Sequence, residues 1–273
     1  MAAITSPSET ILVDVRDNVC WISFNRPDSL NALNSELVSA LDYIITAVGD
    51  QDDIRCVTIQ GAGDHFMAGG DIKKFKVMLD TEPDMTARRH EFERLLHNVH
   101  EVIFKMRKLR QPIIAIVKGA VAGAGVSLMM ACDLVVASEK SFFTLAYCHL
   151  GVSPDGGSTY HLPRMVGMKR AFEIALLGNR FDAATAEKWG LINWVFSTEE
   201  LEAEAYKIVS SLATGPTQAH VHAKALLNAS LDNTINTQLD NEITSFVGCT
   251  ATPDFTEGVA AFIEERKPKF EGR

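Results

Sequence analysis

The chain has 273 residues, of which 47% are hydrophobic and 22% are charged, and this balance excludes a disordered protein and predicts a buried core. Its formal net charge of −9 argues against nucleic acids or anionic membranes as partners. The opening residues MAAITSPSET lack the basic and apolar regions of a signal peptide, and Lys118 interrupts the longest apolar stretch. We therefore expect a protein that spans no membrane and lies in the cytoplasm by default, or in an organelle matrix.

The first part of the chain alternates between strand and helix patterns. Residues 10–14 and 18–24 are rich in β-branched and aromatic residues and predict the two strands of a hairpin. Residues 25–48 then place leucines and isoleucines three to four positions apart, which predicts a helix. A third strand is predicted over 54–60, and it ends in the glycine-rich segment 61–75, which leads into a helix.

The same order of elements then recurs. It predicts a helix over 91–109, a strand over 112–117, a glycine-rich turn over 118–125, a short helix over 126–132, strands over 133–138 and 141–146, and a helix over 162–177. Beyond residue 199 the pattern is nearly all helical. We therefore predict an α/β core over residues 1–200 and a helical C-terminal region over 201–273.

The cysteines and histidines predict no metal site. The five cysteines are odd in number, include no C-x-x-C pair and lie in mostly apolar surroundings, as reduced core thiols do. His65, His149 and His161 show none of the spacings of metal ligands. We expect neither disulfide bonds nor a bound metal ion.

Two glycine turns stand directly before predicted helices. One turn has the sequence MAGGD and includes Gly70, and the other has the sequence GAG and includes Ala124. The first N–H groups of a helix have no partner within the helix, so two such turns together can hold an oxygen that becomes negative during a reaction. The pattern differs from the G-x-G-x-x-G of dinucleotide sites, so an oxyanion hole is the preferred interpretation.

Four segments carry a resemblance to a known family. They are HFMAGGDIKKF (65–75), VKGAVAGAGVSLMMACDLVVAS (117–138), a long segment over 150–196 that contains GVSPDGGSTY, and EGVAAFIEERKPKF (257–270). In order and spacing they closely resemble the crotonase superfamily, the enoyl-CoA hydratases and isomerases. The similarity is closest to isomerases of the Δ3,Δ2-enoyl-CoA and ring-opened phenylacetyl-CoA epoxide type. It implies a spiral of ββα units, a homotrimer or homohexamer joined through the C-terminal helices, and an acyl-CoA substrate without a separate cofactor.

The resemblance also implies roles for individual residues. The family's two oxyanion donors fall on the N–H groups of Gly70 and Ala124. The CoA moiety of the substrate is expected to lie along Arg26, Ala68, Asp71 and Ile72.

The acid–base residues distinguish this chain from the hydratases of the family. Where those enzymes carry two glutamates, this sequence has Ser127 and Tyr147, and neither is a good general base at neutral pH. Asp155 falls where the isomerases hold their catalytic carboxylate. The resemblance therefore implies that Asp155 moves a proton from C2 to C4 of a 3-enoyl-CoA, beside a pocket lined by Ser127 and Tyr147.

Other interpretations remain open at this point. Asp155 lies between a proline and two glycines, which is ordinary turn chemistry. It is also the nucleophile's position in the family's aryl-CoA dehalogenases. Hydration is the default reaction of the family, whereas dienoyl-CoA isomerisation is disfavoured because no acid stands at position 147. A non-catalytic scaffold that binds acyl-CoA or RNA is the last alternative.

Overall fold

The strands of the protein form two sheets. The structure is a computed structural model that describes residues 4–273. In chain order the strands are β1 (Ile11–Arg16), β2 (Val19–Phe24), β3 (Cys56–Gly61), β4 (Ile113–Val117), β5 (Ala120–Ala122), β6 (Leu134–Ser138), β7 (Phe142–Thr144), β8 (Phe181–Asp182) and β9 (Trp194–Phe196). The larger sheet has the order β1-β2-β3-β4-β6-β9 and the smaller sheet has the order β5-β7-β8. The pairs β1–β2 and β7–β8 are antiparallel, and all other pairs are parallel.

Helices follow the strands and make up the end of the chain. They are α1 (Ser35–Gly49), α2 (Ile72–Thr81), α3 (Met85–Lys108), α4 (Ala124–Met130), α5 (Ser158–Val166), α6 (Met168–Leu177), α7 (Ala183–Lys188), α8 (Leu201–Ala213), α9 (Thr217–Ala229), α10 (Ile235–Thr250) and α11 (Pro253–Ile263). Within residues 4–273, no helix combines the length and the hydrophobicity needed to cross a bilayer.

Successive strands pass from one sheet to the other. After β4 in the larger sheet the chain forms β5 in the smaller sheet and then α4, and after β6 it forms β7 and then α5 and α6. Two strands in different sheets followed by a helix make one turn of a spiral. The element order predicted this α/β architecture, and the family resemblance implied its spiral of ββα units.

The larger sheet is covered on both faces. On one face α1 and α3 pack over the strands, and α1 begins where the Asn34 side chain caps the N–H of Leu37 at 2.9 Å. On the other face α8 contributes Leu201 and Val209 to a second apolar cluster with Trp21 of β2. A sheet buried on both sides favours nearly continuous apolar strands, as in β4, where all five residues are buried.

Two sequence predictions about local elements were wrong. The segment 118–125 was predicted as a turn only, but it contains β5, which pairs with β7. The predicted helix over 162–177 is two helices, because Gly167 between them adopts φ = 76° and ψ = 158°. The division of the chain at residue 200 stays a prediction, and α8 beyond it packs on the sheet.

Candidate active site

The two glycine turns lie against each other. Met67 pairs with β5 through two backbone hydrogen bonds, one from its N–H to Ala120 (3.2 Å) and one from the N–H of Ala122 to its carbonyl (2.9 Å). This pairing places the turns side by side, so that a Cβ on Gly123 would lie 3.6 Å from Cα of Gly69. The smaller sheet therefore joins two turns that are far apart in the sequence.

Close packing explains why glycines occupy these turns. A Cβ on Gly125 would lie 2.3 Å from the carbonyl oxygen of Met67, which no side chain can tolerate. Gly69 adopts φ = 92°, in the region that L-residues avoid. Glycine therefore lets α4 begin directly beside the first turn.

The N–H groups of Gly70 and Ala124 are available to a ligand. Gly70 directly precedes Asp71, the N-cap of α2, and Ala124 is the first residue of α4. Among residues 4–273, neither N–H donates to a protein acceptor. Unpaired donors at two adjoining helix starts are the elements of an oxyanion hole.

Arg26 and Asp71 form an ion pair at the start of α2. Nη2 of Arg26 lies 2.8 Å from Oδ2 of Asp71, and the guanidinium also donates to the carbonyl of Ala32. Burial disfavours the charge of Asp71, but the hydrogen bonds and charges of Arg26 and Lys74 outweigh it and lower the pKa of that carboxyl. The pair therefore stays ionised, with half-buried Ala68 and exposed Ile72 as its neighbours in the chain. All four predicted CoA-binding residues thus lie close to the first glycine turn.

Asp155, Tyr147 and Ser127 form one hydrogen-bonded cluster. The Tyr147 hydroxyl donates to Oδ1 of Asp155 and lies 3.2 Å from Oγ of Ser127. Oγ of Ser127 in turn lies 3.0 Å from the main-chain carbonyl of Asp155, to which it donates. The three predicted residues are therefore in direct contact.

Helix α4 links this cluster to the second glycine turn. Ser127 is buried, and its N–H donates to the carbonyl of Gly123 at 3.2 Å, within the first turn of the helix that Ala124 opens. The Asp155 loop thus packs one helical turn from the Ala124 amide. The half-buried Asp155 and the Ala124 amide therefore lie on either side of the first turn of α4.

Tyr147 is a donor in this cluster. Burial raises the pKa of its hydroxyl well above the usual value, and the charge and hydrogen bond of Asp155 raise it further. The phenol therefore stays protonated at any physiological pH and cannot act as the base. In the cluster it is the hydrogen-bond donor to the Asp155 carboxylate.

The glycines that follow Asp155 press its loop onto α4. Gly156 and Gly157 adopt φ values of 59° and 75°, and a Cβ on Gly156 would lie 2.8 Å from Cβ of Ser127. The residues after Asp155 therefore do form the turn that the sequence indicated. It serves to bring Asp155 against Ser127, so the turn and catalytic interpretations of Asp155 are compatible.

Sequence reasoning missed His100. Nε2 of this histidine, on α3, accepts a hydrogen bond from the N–H of Gly156 at 3.2 Å. His100 lies outside every segment that carried the family resemblance, and no local pattern distinguishes it from other histidines of α3. By contrast, His149 contacts the carbonyl of Gly178 at 3.1 Å.

Within residues 4–273, no group of His, Cys, Asp or Glu side chains is arranged to hold a metal ion.

Comparison with known proteins identifies the family. The family model described as enoyl-CoA hydratase/isomerase matches residues 14–273. The chain belongs to the enoyl-CoA hydratase/isomerase family. One family member, the 1,2-epoxyphenylacetyl-CoA isomerase of Escherichia coli (strain K12), is 36% identical over 266 residues, which cover 97% of this chain and 99% of that protein. A probable mitochondrial enoyl-CoA hydratase of Dictyostelium discoideum is 34% identical over 264 residues, 97% of this chain and 91% of that protein.

Solved structures of family members share the fold. A putative enoyl-CoA hydratase from Streptomyces coelicolor A3(2) superimposes with a TM-score of 0.90 at 31% identity, over 100% of this chain and 98% of that chain. An enoyl-CoA hydratase from Polaromonas sp. JS666 gives a TM-score of 0.88 at 31% identity, over 96% and 99% of the two chains. The predicted crotonase-like α/β fold with a helical C-terminal region is confirmed. The names of the relatives include both isomerases and hydratases, so membership alone does not choose the reaction.

Proposed function

We propose that this family member is an acyl-CoA isomerase that moves the double bond of a 3-enoyl-CoA to the 2-position. The observation that carries the proposal is the cluster of Ser127, Tyr147 and Asp155, in which Asp155 supplies the only carboxylate. One carboxylate suffices for a proton shift between two carbons of the same substrate, because the group that removes a proton can return it. The 36% identity to the 1,2-epoxyphenylacetyl-CoA isomerase supports an isomerase that acts on a CoA thioester.

The reaction begins at the thioester carbonyl. Its oxygen accepts hydrogen bonds from the N–H groups of Gly70 and Ala124, and each such donor is worth about 3 kcal/mol of barrier. Asp155 takes a proton from C2, and the electron pair of that C–H bond forms the enolate whose negative charge rests on the oxygen. The conjugated dienolate then accepts the same proton at C4, which leaves the double bond between C2 and C3 and restores the carboxylate.

Tyr147 and Ser127 orient the base in this scheme. The Tyr147 hydroxyl occupies Oδ1 of Asp155, so Oδ2 is the oxygen that meets the substrate. The CoA moiety is proposed to lie along the first glycine turn, where Arg26, Ala68, Asp71 and Ile72 lie. CoA belongs to the substrate, and the scheme uses no separate cofactor.

Hydration is the second candidate reaction. It is favoured by the 34% identity to a probable enoyl-CoA hydratase. Adding water across a double bond uses one group to activate the water and another to protonate the carbon. The neutral hydroxyls of Ser127 and Tyr147 stand beside Asp155 instead of a second carboxylate, and this arrangement favours isomerisation.

Turnover of two substrates tests the proposal. Purified protein is assayed with 3-hexenoyl-CoA for isomerisation and with crotonyl-CoA for hydration, as wild type and as Asp155→Asn. We expect isomerisation in the wild type, and in the variant a kcat at least about 100-fold lower with KM within a few-fold, because the amide matches the carboxylate in size but accepts no proton. Asp53→Asn is the control. Asp53 is exposed and lies before β3, at the end of the strand opposite to the first glycine turn. Fast hydration that survives Asp155→Asn would contradict the proposal and favour a hydratase.

We also propose that the protein assembles into a homotrimer or homohexamer. No residue of α10 is buried in the single chain. Its apolar residues Ile235, Leu239, Ile243 and Phe246 recur at helical spacing and are 49–70% exposed. A continuous exposed apolar face of this kind marks a contact between proteins, and closed rings of identical subunits cover such faces.

A further inference from the structure

The peptide group that joins Asp155 to Gly156 is held at both ends. Its carbonyl oxygen accepts hydrogen bonds from Oγ of Ser127 (3.0 Å), from Oγ of Ser158 (2.8 Å) and from the N–H of Ser158 (3.1 Å). Its N–H donates to Nε2 of His100 at 3.2 Å. Among residues 4–273, His100 is the only acceptor for this N–H.

The orientation of this peptide fixes the direction of the Asp155 side chain. The peptide plane sets ψ of Asp155, and a rotation about that bond would turn the carboxylate relative to the substrate. Two glycines follow, Gly156 and Gly157, and glycine resists such rotation less than any other residue. Besides the two hydrogen bonds from Ser158, the loop therefore depends on the distant residues Ser127 and His100 to hold its conformation.

The contact between His100 and Gly156 starts from helix α3, which is packed into the core. The neighbours of His100 on the helix, Val99 and Ile103, are buried in the main core at 8% and 7% exposure. The imidazole itself reaches out of the helix to the loop, 56 positions later in the chain. Nε2 is the acceptor of this hydrogen bond, an arrangement that uses the tautomer with its N–H at Nδ1.

We propose that His100 is a positioning residue that holds the Asp155 carboxylate in its working direction. This inference rests on the isomerase function proposed above. His100 acts through the backbone of Gly156 and does not exchange a proton with the substrate. Losing it should therefore lower kcat and leave substrate binding almost unchanged, because the base stays present but loses its fixed direction.

Three variants test the role. His100→Ala removes the acceptor, whereas His100→Gln replaces it, because the amide oxygen of glutamine extends to about the position of Nε2. His90→Ala is the matched control, an exposed histidine on the same helix. Each protein is assayed with 3-hexenoyl-CoA, and amide hydrogen exchange is measured for the peptide that covers residues 151–160.

We expect His100→Ala to lower kcat about 10-fold with KM within about twofold, as displaced catalytic groups do, and to accelerate exchange in residues 151–160. His100→Gln should restore most of the kcat and most of the protection from exchange. His90→Ala should match the wild type in both measurements. A wild-type kcat in His100→Ala, unchanged exchange in that variant, or a glutamine variant no better than alanine would each overturn the proposal. If the unmutated protein does not isomerise the substrate, the proposed function fails, and the exchange comparison still decides whether His100 holds the loop.

Discussion

The Tyr147 hydroxyl donates its proton to Oδ1 of Asp155, and Oδ2 of that carboxylate has no donor among residues 4–273. The two oxygens are therefore unequal. Oδ1 is held by the Tyr147 hydroxyl, and Oδ2 is the oxygen proposed to meet the substrate. In a low-dielectric site a hydrogen bond of this kind both orients and stabilises a charged group.

Tyr147→Phe should lower kcat about 10-fold with little change in KM, because the ring still fills the pocket while the carboxylate loses its fixed donor. Steady-state isomerisation of 3-hexenoyl-CoA measures the effect. Tyr160→Phe is the control, since the Tyr160 hydroxyl also contacts a carboxylate, Asp232 at 3.1 Å, but at the surface. Equal kcat values in the two variants would show that the hydrogen bond to Asp155 has no part in turnover.

Two glycines of the Asp155 loop allow a matched test of close packing. Gly156 and Gly151 both adopt positive φ, at 59° and 70°, but a Cβ meets Ser127 at 2.8 Å in the first case and nothing within 4 Å in the second. Gly151→Ala should cost about 1 kcal/mol of unfolding free energy from strain alone, with kcat unchanged. Gly156→Ala should also displace the loop from α4 and lower kcat more than about 10-fold.

Urea unfolding and steady-state assays of the two alanine variants separate strain from displacement. A Gly156→Ala enzyme with the kcat of Gly151→Ala would mean that the loop can leave Ser127 without harm to catalysis.

Local sequence patterns were sufficient to predict the elements that are defined by their own residues, such as α1 and the two glycine turns. The predicted helix over 25–48 covers α1 except its last residue, Gly49; spacing sets the apolar face of α1, and Asn34 caps its start. The two glycine turns were recognisable because each stands at the start of a predicted helix. The order and spacing of four motifs then indicated the family, and with it the fold and the role of Asp155.

Contacts between distant segments could not be predicted in the same way. Strand β5 has three residues between glycines, and only pairing with β7 makes it a strand. His100 is one exposed histidine on a polar helix until Gly156 is brought to it. Both depend on tertiary structure that no window of the sequence contains.

The buried imidazole of His161 should make stability depend on pH. His161 is 7% exposed, and burial, with smaller contributions from the charges of Arg107 and Arg164, lowers its pKa from 6.5 to about 4. Between pH 6.5 and about pH 4, His161 is protonated in the unfolded chain but not in the folded chain. Stability is therefore lost as the pH falls through this window and is kept above it.

Urea unfolding at pH 7 and pH 4.5 measures the effect, at one protein concentration. The wild type should lose about 2 kcal/mol more than His161→Gln over this interval. His90→Gln, an exposed site, serves as the control and should follow the wild type. If His161→Gln lost as much as the wild type, other groups would account for the acid sensitivity.

A buried ion pair fastens α9 to the core. Nζ of Lys224 lies 2.6 Å from Oδ2 of Asp133, with side-chain exposures of 7% and 18%, and the same carboxylate oxygen accepts the N–H of Ile113 at 2.8 Å. Burial lowers the pKa of Lys224, and Asp133 opposes this effect. Removing Lys224 would leave the Asp133 carboxylate with a longer ionic contact to Arg107, whose Nη1 lies 3.7 Å from Oδ1.

Lys224→Met should therefore cost about 3 kcal/mol of unfolding free energy. Lys207→Met removes the exposed pair with Glu204 and should cost less than about 1 kcal/mol. The double variant Lys224→Met, Asp133→Asn should recover part of the loss, because the carboxylate that Lys224 neutralises is then removed as well. Equal costs for the two lysine variants, measured by urea unfolding, would show that the buried pair is no stronger than a surface one.

The exposed face of α10 makes the proposed assembly testable without disturbing the fold. Ile243 and Phe246 are 63% and 68% exposed in the single chain, so charged residues at these positions cost the isolated subunit little. In a trimer or hexamer they would be buried, and two aspartates per subunit would have to lose water at the contact. Ile243→Asp, Phe246→Asp should therefore dissociate the assembly.

Sedimentation equilibrium at micromolar concentration should give the mass of a trimer or hexamer for the wild type and that of a monomer for the double variant. Asn241→Asp is the control, because it adds a charge to an exposed position on the opposite side of α10. It should keep the wild-type mass. A wild-type monomer, or a double variant that keeps the wild-type mass, would show that α10 does not join the subunits, and the apolar face would then need a different partner.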